Sequence, residues 1–598
     1  MAPQVTLPAF LRRRGRLWQQ RYVLCAAKRN RAMEKLRQGE GDALLVSDFQ
    51  ICGKKRRVTL YKNGIIFADD STSARVEFLP LQQLVAVQPC DCSNGPLSRR
   101  KGRHHCGHCT ASQGLEANTF TGSTPCLNDH KLLTKNGTIK GAMSVSCLVA
   151  ESTPLQAGSL RLHVAKPAWR HSWTLQSLLL KGGPTDHNLV REWVTVLQRL
   201  IAQLDRPRRL IVFINPFGGR KKAPSIYLRK VAPIFKLAGI STEVIQTRYS
   251  GHAKEKLLEV DLNDFDGVVC VGGDGMVNEV INGVLVRAQV DAGIEADDVR
   301  SRLHPATMKV GVIPAGSTDA LVFTTTGENS PVTSALLIVM GAEVSVDVAS
   351  IHSQEKLVRY SLGFLSYGFF GDNIKSSERY RWMGPLRYNM SGWQTFLKHK
   401  SYEGEVKVLV KKNGSVLTPY DPTGKDRCRA GCNVCYKTNS KLQQEISEEL
   451  ENNDVVRVQG QFLSISCALM ANRCARSSAG VAPTAHLGNG VMDVILVTQC
   501  SRLNFLKFLL AIAKSETRSP FKYPFVHCFR TSSLEFVPKA DNSIQGSGKC
   551  TSTWQCDGEL LSESALQVRC HRQLLKLFAF GIEDRDECSM PCIPCPCS

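Results

Sequence analysis

The stretch from Gly267 to Val280 carries the most chemical information in this chain of 598 residues. An apolar run breaks there into Gly272-Gly273-Asp274-Gly275, and an amphipathic helical pattern follows. Such a strand, turn and helix presents backbone N–H groups and a helix N-terminus to an anion, ideally a phosphate. An Asp beside phosphates is repulsive unless a divalent cation bridges them or the Asp accepts a proton from a nucleophile. Both explanations favour phosphoryl transfer.

Three further turns in the rest of the chain carry glycine or acidic residues. They are Asn215-Pro216-Phe217-Gly218-Gly219, Pro314-Ala315-Gly316-Ser317-Thr318-Asp319 and Asp557-Gly558-Glu559. A glycine after a strand often only supplies a backbone angle that other residues resist, so each turn alone is a weak signal. Their order and spacing together are far more specific.

The pattern around these turns predicts two subdomains. From residue 205 to 346, apolar strands alternate with helical patterns, which predicts a parallel α/β sheet with its ligand at the carboxyl ends of the strands. From 347 to 582 the pattern changes to period-2 strands, which indicates an antiparallel β domain. We interpret Arg572 to Ile582 as a helical or mixed segment at its end.

The N-terminal third has a different pattern. Residues 45–204 read as several short strands followed by a helix from Leu189 to Leu204, with Trp193 on its apolar stripe. This arrangement resembles a pleckstrin-homology-like β-barrel, a lipid-binding module, with a polar insertion at about 91–136. A basic arm over 1–44 precedes it, and a tail rich in Cys and Pro over 583–598 ends the sequence.

Composition narrows the class of partner. The net charge of +23 favours an anionic partner. No recognition helix, zinc-finger frame or RNA-binding signature accompanies the charge, so we expect an anionic phospholipid surface or a phosphorylated ligand and no nucleic acid. No apolar run reaches the roughly 18 to 20 residues of a membrane span, and no secretory signal is evident.

These features predict a cytoplasmic protein that binds peripherally to intracellular or plasma membranes. The first acidic residue is Glu34, which would suit an organelle transit peptide, but serine is absent before it. We therefore favour a basic arm over a targeting segment.

The four turns and their flanks resemble the lipid kinase family that includes diacylglycerol, sphingosine and ceramide kinases. The resemblance covers about 207–582 and is strongest to the ceramide kinases, in NPFGGRKKAPSIYLRKVAPIFKLAGI, FDGVVCVGGDGMVNEV, GVIPAGSTDA, YGFFGD, CRAGCNVC and WQCDGEL. It implies ATP-dependent phosphorylation of the primary hydroxyl of ceramide, presented in a membrane, as a step in sphingolipid metabolism. It also implies Mg²⁺ as cofactor, with Ca²⁺ as the alternative, and leaves the oligomeric state open.

The resemblance assigns roles to individual residues. Phosphoryl transfer needs cradled phosphates, a divalent cation, a positioned hydroxyl and a base. The implied ATP-binding residues are Asn215, Pro216, Phe217, Gly218, Gly219, Thr247, Glu279, Gly316, Ser317, Thr318, Arg381, Arg387, Asp557, Gly558 and Glu559. The implied substrate-binding residues are Gly272, Gly273, Asp274, Gly275, Asp372 and Ile374.

Several of these assignments have alternatives. The base is either Asp274 or Glu559, and Asp319 and Asp557 are the candidate Mg²⁺ ligands. Glu279 either orients nucleotide or metal or is a solvated helix residue. Arg381 and Arg387 match phosphate-binding positions of sphingosine kinases, and the alternative is that they belong to a basic surface helix.

One departure from the sphingosine kinases bears on specificity. Where they carry an acid for the ammonium group of the substrate, two residues past Asp372, this chain has Ile374. The nitrogen of ceramide is a neutral amide, so an apolar residue fits it, whereas a free amine would lose its partner.

The 23 cysteines include a group with the spacing of metal ligands, Cys428-x3-Cys432-x2-Cys435. Cys467 or Cys474 could complete a zinc tetrahedron, and the alternative is a set of structural thiols. The resemblance implies that this cluster matters to activity. For the tail cysteines, Cys588, Cys592, Cys595 and Cys597, we expect no function, with palmitoylation as the alternative.

Other functions remain as alternatives: sphingosine or diacylglycerol kinase, NAD kinase, or a non-catalytic ceramide kinase-like lipid-binding protein. Intact Asp274, Asp319, Asp557 and Glu559 argue against the last of these.

Overall fold

The computed structural model describes residues 43–69, 76–90, 138–139, 158–183, 185–219, 221–411, 427–435, 453–475, 477–514, 520–539 and 551–582. Packing divides the chain into two compact units, one formed mainly by residues up to Leu204 and the other mainly by residues from Asp205 onward. The predicted insertion at 91–136, the tail at 583–598 and nearly all of the basic arm lie outside the described residues.

The first unit is built on an antiparallel sheet. Its strands are β1 (Leu45–Ile51), β2 (Lys54–Tyr61), β3 (Gly64–Asp69), β4 (Val76–Pro80), β5 (Leu84–Cys90), β7 (Ser159–Pro167) and β8 (Trp173–Lys181). The end of β7 and the start of β8, within residues 165–176, group with the second unit, as does β6 (Thr138–Ile139). The seven strands lie in the order β4-β3-β2-β1-β8-β7-β5.

Helix α1 (His187–Ala202) follows this sheet and supplies part of its core. Trp193 is fully buried, with its ring edge-on to Phe49 at 5.3 Å between centroids. Its indole N–H donates to the hydroxyl of Ser47 at 3.0 Å, so the polar end of the ring is satisfied inside the unit. The pleckstrin-homology-like character of this unit stays a prediction.

The second unit begins with an α/β half. Its strands are β9 (Arg209–Ile214), β10 (Ser241–Gln246), β11 (Gly267–Gly272) and β12 (Lys309–Pro314). Its helices are α2 (Ala223–Ile226), a π-helical turn (Tyr227–Val231), α3 (Ala232–Leu237), α4 (His252–Glu259), α5 (Asp274–Asp291), α6 (Ala320–Thr326) and α7 (Pro331–Val339). The strands pair in parallel in the order β10-β9-β11-β12, as the alternating pattern predicts.

The β half follows. Its strands are β13 (Val344–Ser353), β14 (Lys356–Ser361), β15 (Phe364–Gly368), β16 (Tyr402–Lys411), β17 (Asn453–Ala468), β18 (Met492–Thr498), β19 (Val526–Thr531), β20 (Ser533–Pro538), β21 (Gln555–Cys556), β22 (Glu559–Leu560) and β23 (Leu566–Leu577). Its helices are α8 (Phe369–Ser377), α9 (Arg387–Lys398) and α10 (Arg502–Lys514), with 3-10 segments Glu378–Leu386 and Pro520–Lys522. Most of these strands pair antiparallel.

The two halves share one sheet and one core. Strand β23 pairs in parallel with β12 and antiparallel with β13, so hydrogen bonding continues from one half into the other. A single buried cluster joins Val280 and Ile281 of helix α5 to Val346, Tyr360 and Leu575 of the β half. The predicted change of pattern near residue 347 is therefore a change of strand direction within one packed body.

The end of the β half differs from the prediction. Residues 572–577 belong to strand β23, so the interpretation of Arg572 to Ile582 as helical or mixed is wrong for this stretch. Leu574, Leu575 and Leu577 have an apolar spacing that suits a helix locally, but pairing with β12 and β13 satisfies their backbone groups as a strand.

None of the helices in the described part of the chain combines the length and the apolar content needed to cross a bilayer.

Candidate active site

Four loops meet at the carboxyl ends of the parallel strands. The N–H of Asn215, after β9, donates to Val271 O at 3.1 Å, and the N–H of Thr247, after β10, donates to Ile214 O at 2.9 Å. The N–H of Ala315, after β12, donates to Gly272 O at 2.9 Å. The structure thus brings together three of the four predicted turns and Thr247 at the sheet edge where open α/β folds bind ligands.

Asn215 shapes the first loop. Its Oδ1 accepts hydrogen bonds from the N–H groups of Phe217 at 2.9 Å and Gly218 at 3.0 Å, which forms an Asx-type turn after strand β9. Pro216 is partly buried, whereas the ring of Phe217 is 62% exposed. The Asn215 side chain is therefore used to hold the loop.

Two glycines allow the loops to approach one another. Gly219 has φ +58°, and a Cβ there would lie 2.8 Å from Ala315 O. A Cβ on Gly316 would lie 2.6 Å from Asp319 Oδ1. Both positions exclude larger residues, so the first and third loops stay close enough to contact one phosphate chain.

Asp274 begins helix α5 and is tied to the start of helix α6. Its Oδ2 accepts from the N–H of Asp319 at 3.1 Å, and its Oδ1 accepts from the N–H of Ala320 at 2.9 Å. Burial raises the pKa of the Asp274 carboxyl to about 7, the Asp319 carboxylate adds to the rise, and the two N–H donors oppose it. A carboxyl poised near neutral pH can accept a proton at that pH.

Asp319 holds the third loop in shape. It has φ +50°, a left-handed conformation that Asp tolerates better than most residues. Its Oδ1 accepts from the N–H of Gly316, and its Oδ2 accepts from the amide of Asn329, both at 3.0 Å. Burial raises the pKa of the Asp319 carboxyl. Ser317 is exposed and Thr318 is partly exposed beside it, where their hydroxyl groups are open to a ligand.

The fourth turn, Asp557-Gly558-Glu559, joins strands β21 and β22 and reaches helix α5. Asp557 Oδ2 accepts from Asn278 Nδ2 at 3.2 Å and from the N–H of Leu362 at 3.0 Å. A further pair of N–H groups, from Gly363 and Phe364, donates to Oδ1 at 3.0 and 2.8 Å. These four bonds argue for a structural role of Asp557, and its assignment as a Mg²⁺ ligand stays a prediction.

Glu559 lies beside the start of helix α5. A Cβ on Gly275 would lie 2.8 Å from Glu559 Oε1, which places this carboxylate next to the residue that follows Asp274. Its other oxygen forms an ion pair with Arg359 at 2.6 Å. The structure thus brings both predicted base candidates to the N-terminus of one helix.

Glu279 has a local partner. Its Oε1 accepts from the N–H of Ala253 at 2.6 Å, within the first turn of helix α4. A carboxylate there interacts favourably with the unpaired N–H groups of that turn. This contact fits neither a solvated Glu279 side chain nor one that is available to bind nucleotide. The predicted role of Glu279 in ATP binding stays untested.

Of the predicted substrate residues, Gly272 to Gly275 form the turn at the start of helix α5, whereas Asp372 and Ile374 lie on helix α8, which contacts strand β22 beside the fourth turn. Asp372 accepts a hydrogen bond from the hydroxyl of Tyr402 and another from Ser552 Oγ, the second at 2.8 Å. Ile374 is partly exposed one half-turn further along the helix.

The predicted phosphate-binding arginines are less closely tied to the site. Arg387 begins helix α9, lies 3.6 Å from Glu378 and stacks over the ring of Tyr388. The side chain of Arg381 falls outside the described part of the structure. Both assignments stay predictions.

The thiol cluster lies apart from these loops in the chain and has a different fourth member from the one predicted. The potential ligand atoms of Cys428, Cys432 and Cys435 group with His486. Neither Cys467 nor Cys474 belongs to the group; Cys467 is buried in the core of the β half. The expectation of a fourth cysteine is therefore wrong, because His486 reaches the cluster from a loop more than fifty residues away.

The carboxylates suit a divalent cation. Burial raises the pKa values of Asp274 and Asp319, and the Asp319 carboxylate raises that of Asp274 further. Oxygen ligands and unneutralised negative charge are what Mg²⁺ and Ca²⁺ bind. Of the two predicted metal ligands, Asp319 is the residue that would hold the ion, which would neutralise charge on the phosphates of a bound nucleotide.

Sequence reasoning missed a set of polar residues that fix this geometry. Asn278 bonds Asp557, and Asn282 accepts from Tyr360 N at 2.8 Å and donates to Tyr360 O at 3.1 Å. Asn329 and Arg359 hold Asp319 and Glu559 in turn. One signal was visible: two asparagines at i and i+4 on a helix that is otherwise apolar on that face.

Comparison with protein families matches both halves of the second unit. Residues 209–351 match the diacylglycerol kinase catalytic domain, and residues 364–597 match the ceramide kinase C-terminal domain.

Individual relatives agree with these families. Human ceramide kinase is 40% identical over 454 residues, which cover 71% of this chain and 83% of that protein. Rice ceramide kinase is 30% identical over 509 residues, 67% of this chain and 82% of that one. The human ceramide kinase-like protein is 29% identical over 430 residues, 66% of this chain and 72% of its own length. By these similarities, which extend across both halves of the site, the chain belongs to the ceramide kinase family.

Proposed function

We propose that this protein transfers the γ-phosphoryl group of ATP to the primary hydroxyl of ceramide. The observation that carries the proposal is the meeting of the glycine-bearing loops with two carboxylates, Asp274 and Glu559, at the N-terminus of helix α5. Phosphoryl transfer to a hydroxyl requires groups that bind the phosphates and an acidic side chain beside the reacting hydroxyl.

The loops have separate tasks in this proposal. The Asn215 to Gly219 loop and the Gly316 to Thr318 loop surround the phosphates of ATP, which the hydroxyl groups of Ser317 and Thr318 contact, and Thr247 lines the nucleotide side. Mg²⁺ is the proposed metal, with Ca²⁺ as the alternative, held on the side of Asp319.

We assign the base to Asp274. Its pKa of about 7 allows it to accept a proton from the lipid hydroxyl near neutral pH. Glu559 forms an ion pair with Arg359 at 2.6 Å, which suits it to an electrostatic role. The two carboxylates thus divide the work of proton transfer and orientation.

Helix α8 is the proposed acceptor side of the cleft. Asp372, held by Tyr402 and Ser552, can bond the hydroxyl and amide groups of the lipid. Ile374 on the same helix has no charge to offer an ammonium group. This arrangement favours ceramide over sphingosine.

An exposed apolar face beside the acceptor helix supports access from a membrane. Met390, Trp393 and Leu397 are spaced along one side of helix α9, which contacts α8, and Leu386 caps its N-terminus. All four are exposed, as is Trp382 in the preceding 3-10 segment at 82%. Arg379, Lys398 and Lys400 are exposed around them. Apolar and aromatic side chains rimmed by basic ones suit the interface of an anionic bilayer, and we propose peripheral membrane binding through this face.

A lipid panel tests the proposed function. Full-length protein is incubated with ATP and Mg²⁺ and with mixed micelles of ceramide, sphingosine or diacylglycerol, and lipid phosphate is measured. We expect ceramide to be the preferred acceptor and Asp274→Asn to lose about 10²-fold or more in kcat. Asp291→Asn, at the exposed end of the same helix, is the control and should retain activity.

Each other outcome identifies an alternative. Equal turnover of ceramide and sphingosine would contradict the argument from Ile374. Phosphorylation of NAD without lipid would indicate a nucleotide kinase, and lipid binding without turnover a non-catalytic homologue. Full activity of Asp274→Asn with loss of activity in Glu559→Gln would move the base to Glu559.

A further inference from the structure

Four side chains outside the active site point potential ligand atoms at a common centre. They are Cys428, Cys432, Cys435 and His486, called here the Cys3His cluster, and their ligand atoms all lie within 4.8 Å of one another. The Sγ atoms of Cys428 and Cys435 are 3.8 Å apart, and Cys432 Sγ is 3.3 Å from His486 Nδ1. The three thiols are free of disulfides.

These separations fit a tetrahedral metal site. With Zn–S near 2.3 Å and Zn–N near 2.0 to 2.1 Å, tetrahedral geometry places two sulfurs about 3.8 Å apart and a sulfur and a nitrogen about 3.5 Å apart. A disulfide instead requires sulfurs at about 2.05 Å. Three thiolates and one imidazole are a common ligand set for structural zinc and a poor one for Mg²⁺ or Ca²⁺.

The surrounding backbone holds the ligands in position. The N–H of Ala430 donates to Ile582 O at 2.8 Å. Gln573 Nε2 donates to Cys435 O at 3.2 Å and to Gly488 O at 2.8 Å, which links the cysteine segment to the loop that carries His486. His486 is only 3% exposed. A second layer of hydrogen bonds of this kind orients the ligands of structural metal sites.

We propose that the Cys3His cluster binds one Zn²⁺ as a structural site. All four positions are filled by protein side chains, so no position is left for a substrate or a reacting water. The ion would join the segment 427–435 to the loop that precedes strand β18. Residues 427–432 and the loop around His486 lie outside any helix or strand.

The site also lies one contact away from the helix that orients Asp274. Cys428 lines a small cavity with Thr324, Arg473 and Leu487, and the N–H of Arg473 donates to Thr324 Oγ1 at 2.9 Å. Thr324 belongs to helix α6, whose first N–H groups hold the Asp274 carboxylate. Loss of the ion should therefore loosen helix α6 and lower kcat through the position of Asp274, without contact between the metal and the substrate.

Metal content of the purified full-length protein tests the proposal. We expect zinc by inductively coupled plasma mass spectrometry, with one equivalent fewer in His486→Ala and Cys432→Ser than in wild type. The zinc content of each variant is compared with that of wild type because the sequence holds other potential zinc ligands, Cys106, His108 and Cys109. Cys500→Ser removes a thiol outside the cluster and should leave zinc unchanged.

Two further measurements test the proposal even if one of these variants fails to fold. His486→Cys supplies a fourth thiolate and should keep the zinc that His486→Ala loses. In wild type, an organomercurial should release this equivalent of zinc to a chromophoric chelator, and cobalt-substituted protein should absorb in the visible as tetrahedral thiolate-bound Co²⁺. Equal zinc in wild type and His486→Ala, or wild-type protein that holds no zinc while its thiols react freely, would overturn the proposal.

Discussion

At Asp274, burial and the neighbouring Asp319 carboxylate raise the pKa to about 7, while the N–H groups of Asp319 and Ala320 hold both oxygens. The charge state and the orientation of this carboxylate are therefore set by the same few residues. Any change that moves the start of helix α6 should alter both.

The pH dependence of the reaction follows from this pKa. A base must be ionised to accept a proton, so the rate should be low below about pH 6, rise through pH 7 and level off above about pH 8. The measurement is kcat against pH with ATP and ceramide saturating. In Asp274→Asn the remaining rate should lack this rise, and a variant that kept the wild-type profile would place the titrating group elsewhere.

Ile374 is the residue at which substrate choice can be changed. In Ile374→Asp we expect the kcat/KM for ceramide to fall by at least about 10-fold and that for sphingosine to rise, because the ammonium group gains a partner and the apolar contact is lost. The ratio of the two kcat/KM values is the measurement. Ile374→Val is the control and should stay close to wild type, whereas an unchanged ratio in Ile374→Asp would exclude this helix from amine recognition.

Residue type alone did not reveal which groups the acids near the site bond. Asp557 and Glu279 suit a metal or nucleotide role by type and spacing, yet backbone N–H groups from distant segments occupy their oxygens. Such partners are set by packing between elements far apart in sequence. The sequence therefore places these acids near the site without indicating what they bond.

At the scale of elements, the loops after strands β9, β11 and β12 form a phosphate-binding surface only if they stay in contact. Gly219 and Gly316 are the points of closest approach. Strand order brings the loops to one edge of the sheet, and glycine, which has no side chain, allows them to touch.

Gly219→Ala tests this contact. The variant combines a left-handed backbone, φ +58°, with a Cβ 2.8 Å from Ala315 O, so the first and third loops must separate. We expect the KM for ATP to rise by about 10-fold or more. Gly239→Ala is a matched control with φ +75° and open space around the added Cβ, and it should show only the backbone cost of about 1 kcal/mol. Equal KM values in the two variants would mean that loop contact is unimportant.

Asn282 illustrates an element-scale link that periodicity does not show. Its amide bonds both backbone groups of Tyr360, which ties helix α5 to strand β14. The candidate active site is therefore built from two halves that share a sheet, a core and a buried polar contact. The two halves pack as one body.

At the scale of the whole molecule, the exposed face of helix α9 is the surface through which we propose that the protein binds the membrane. The net charge of +23 and the basic residues near that face favour an anionic bilayer. A substrate that stays in the membrane makes surface binding part of catalysis.

Polar substitution of this face should separate binding from chemistry. Leu386→Ser with Trp393→Ser should reduce the fraction of protein that sediments with anionic vesicles several-fold, because two exposed apolar side chains are lost. Activity on a water-soluble short-chain ceramide should be retained. Val290→Ser, an equally exposed apolar position on helix α5, is the control, and equal sedimentation of all three proteins would exclude α9 from the membrane surface.

The sequence by itself determined the class of chemistry, the parallel and antiparallel halves and the positions of the glycine-bearing turns, because strand periodicity and such turns are local properties. Only the tertiary structure decided that the halves form one sheet, that Asp274 and Glu559 meet at one helix N-terminus and that His486 completes the thiol cluster. These are contacts between residues tens to hundreds of positions apart. Packing of helices and strands creates these contacts, and no local sequence pattern indicates which distant side chain a residue will contact.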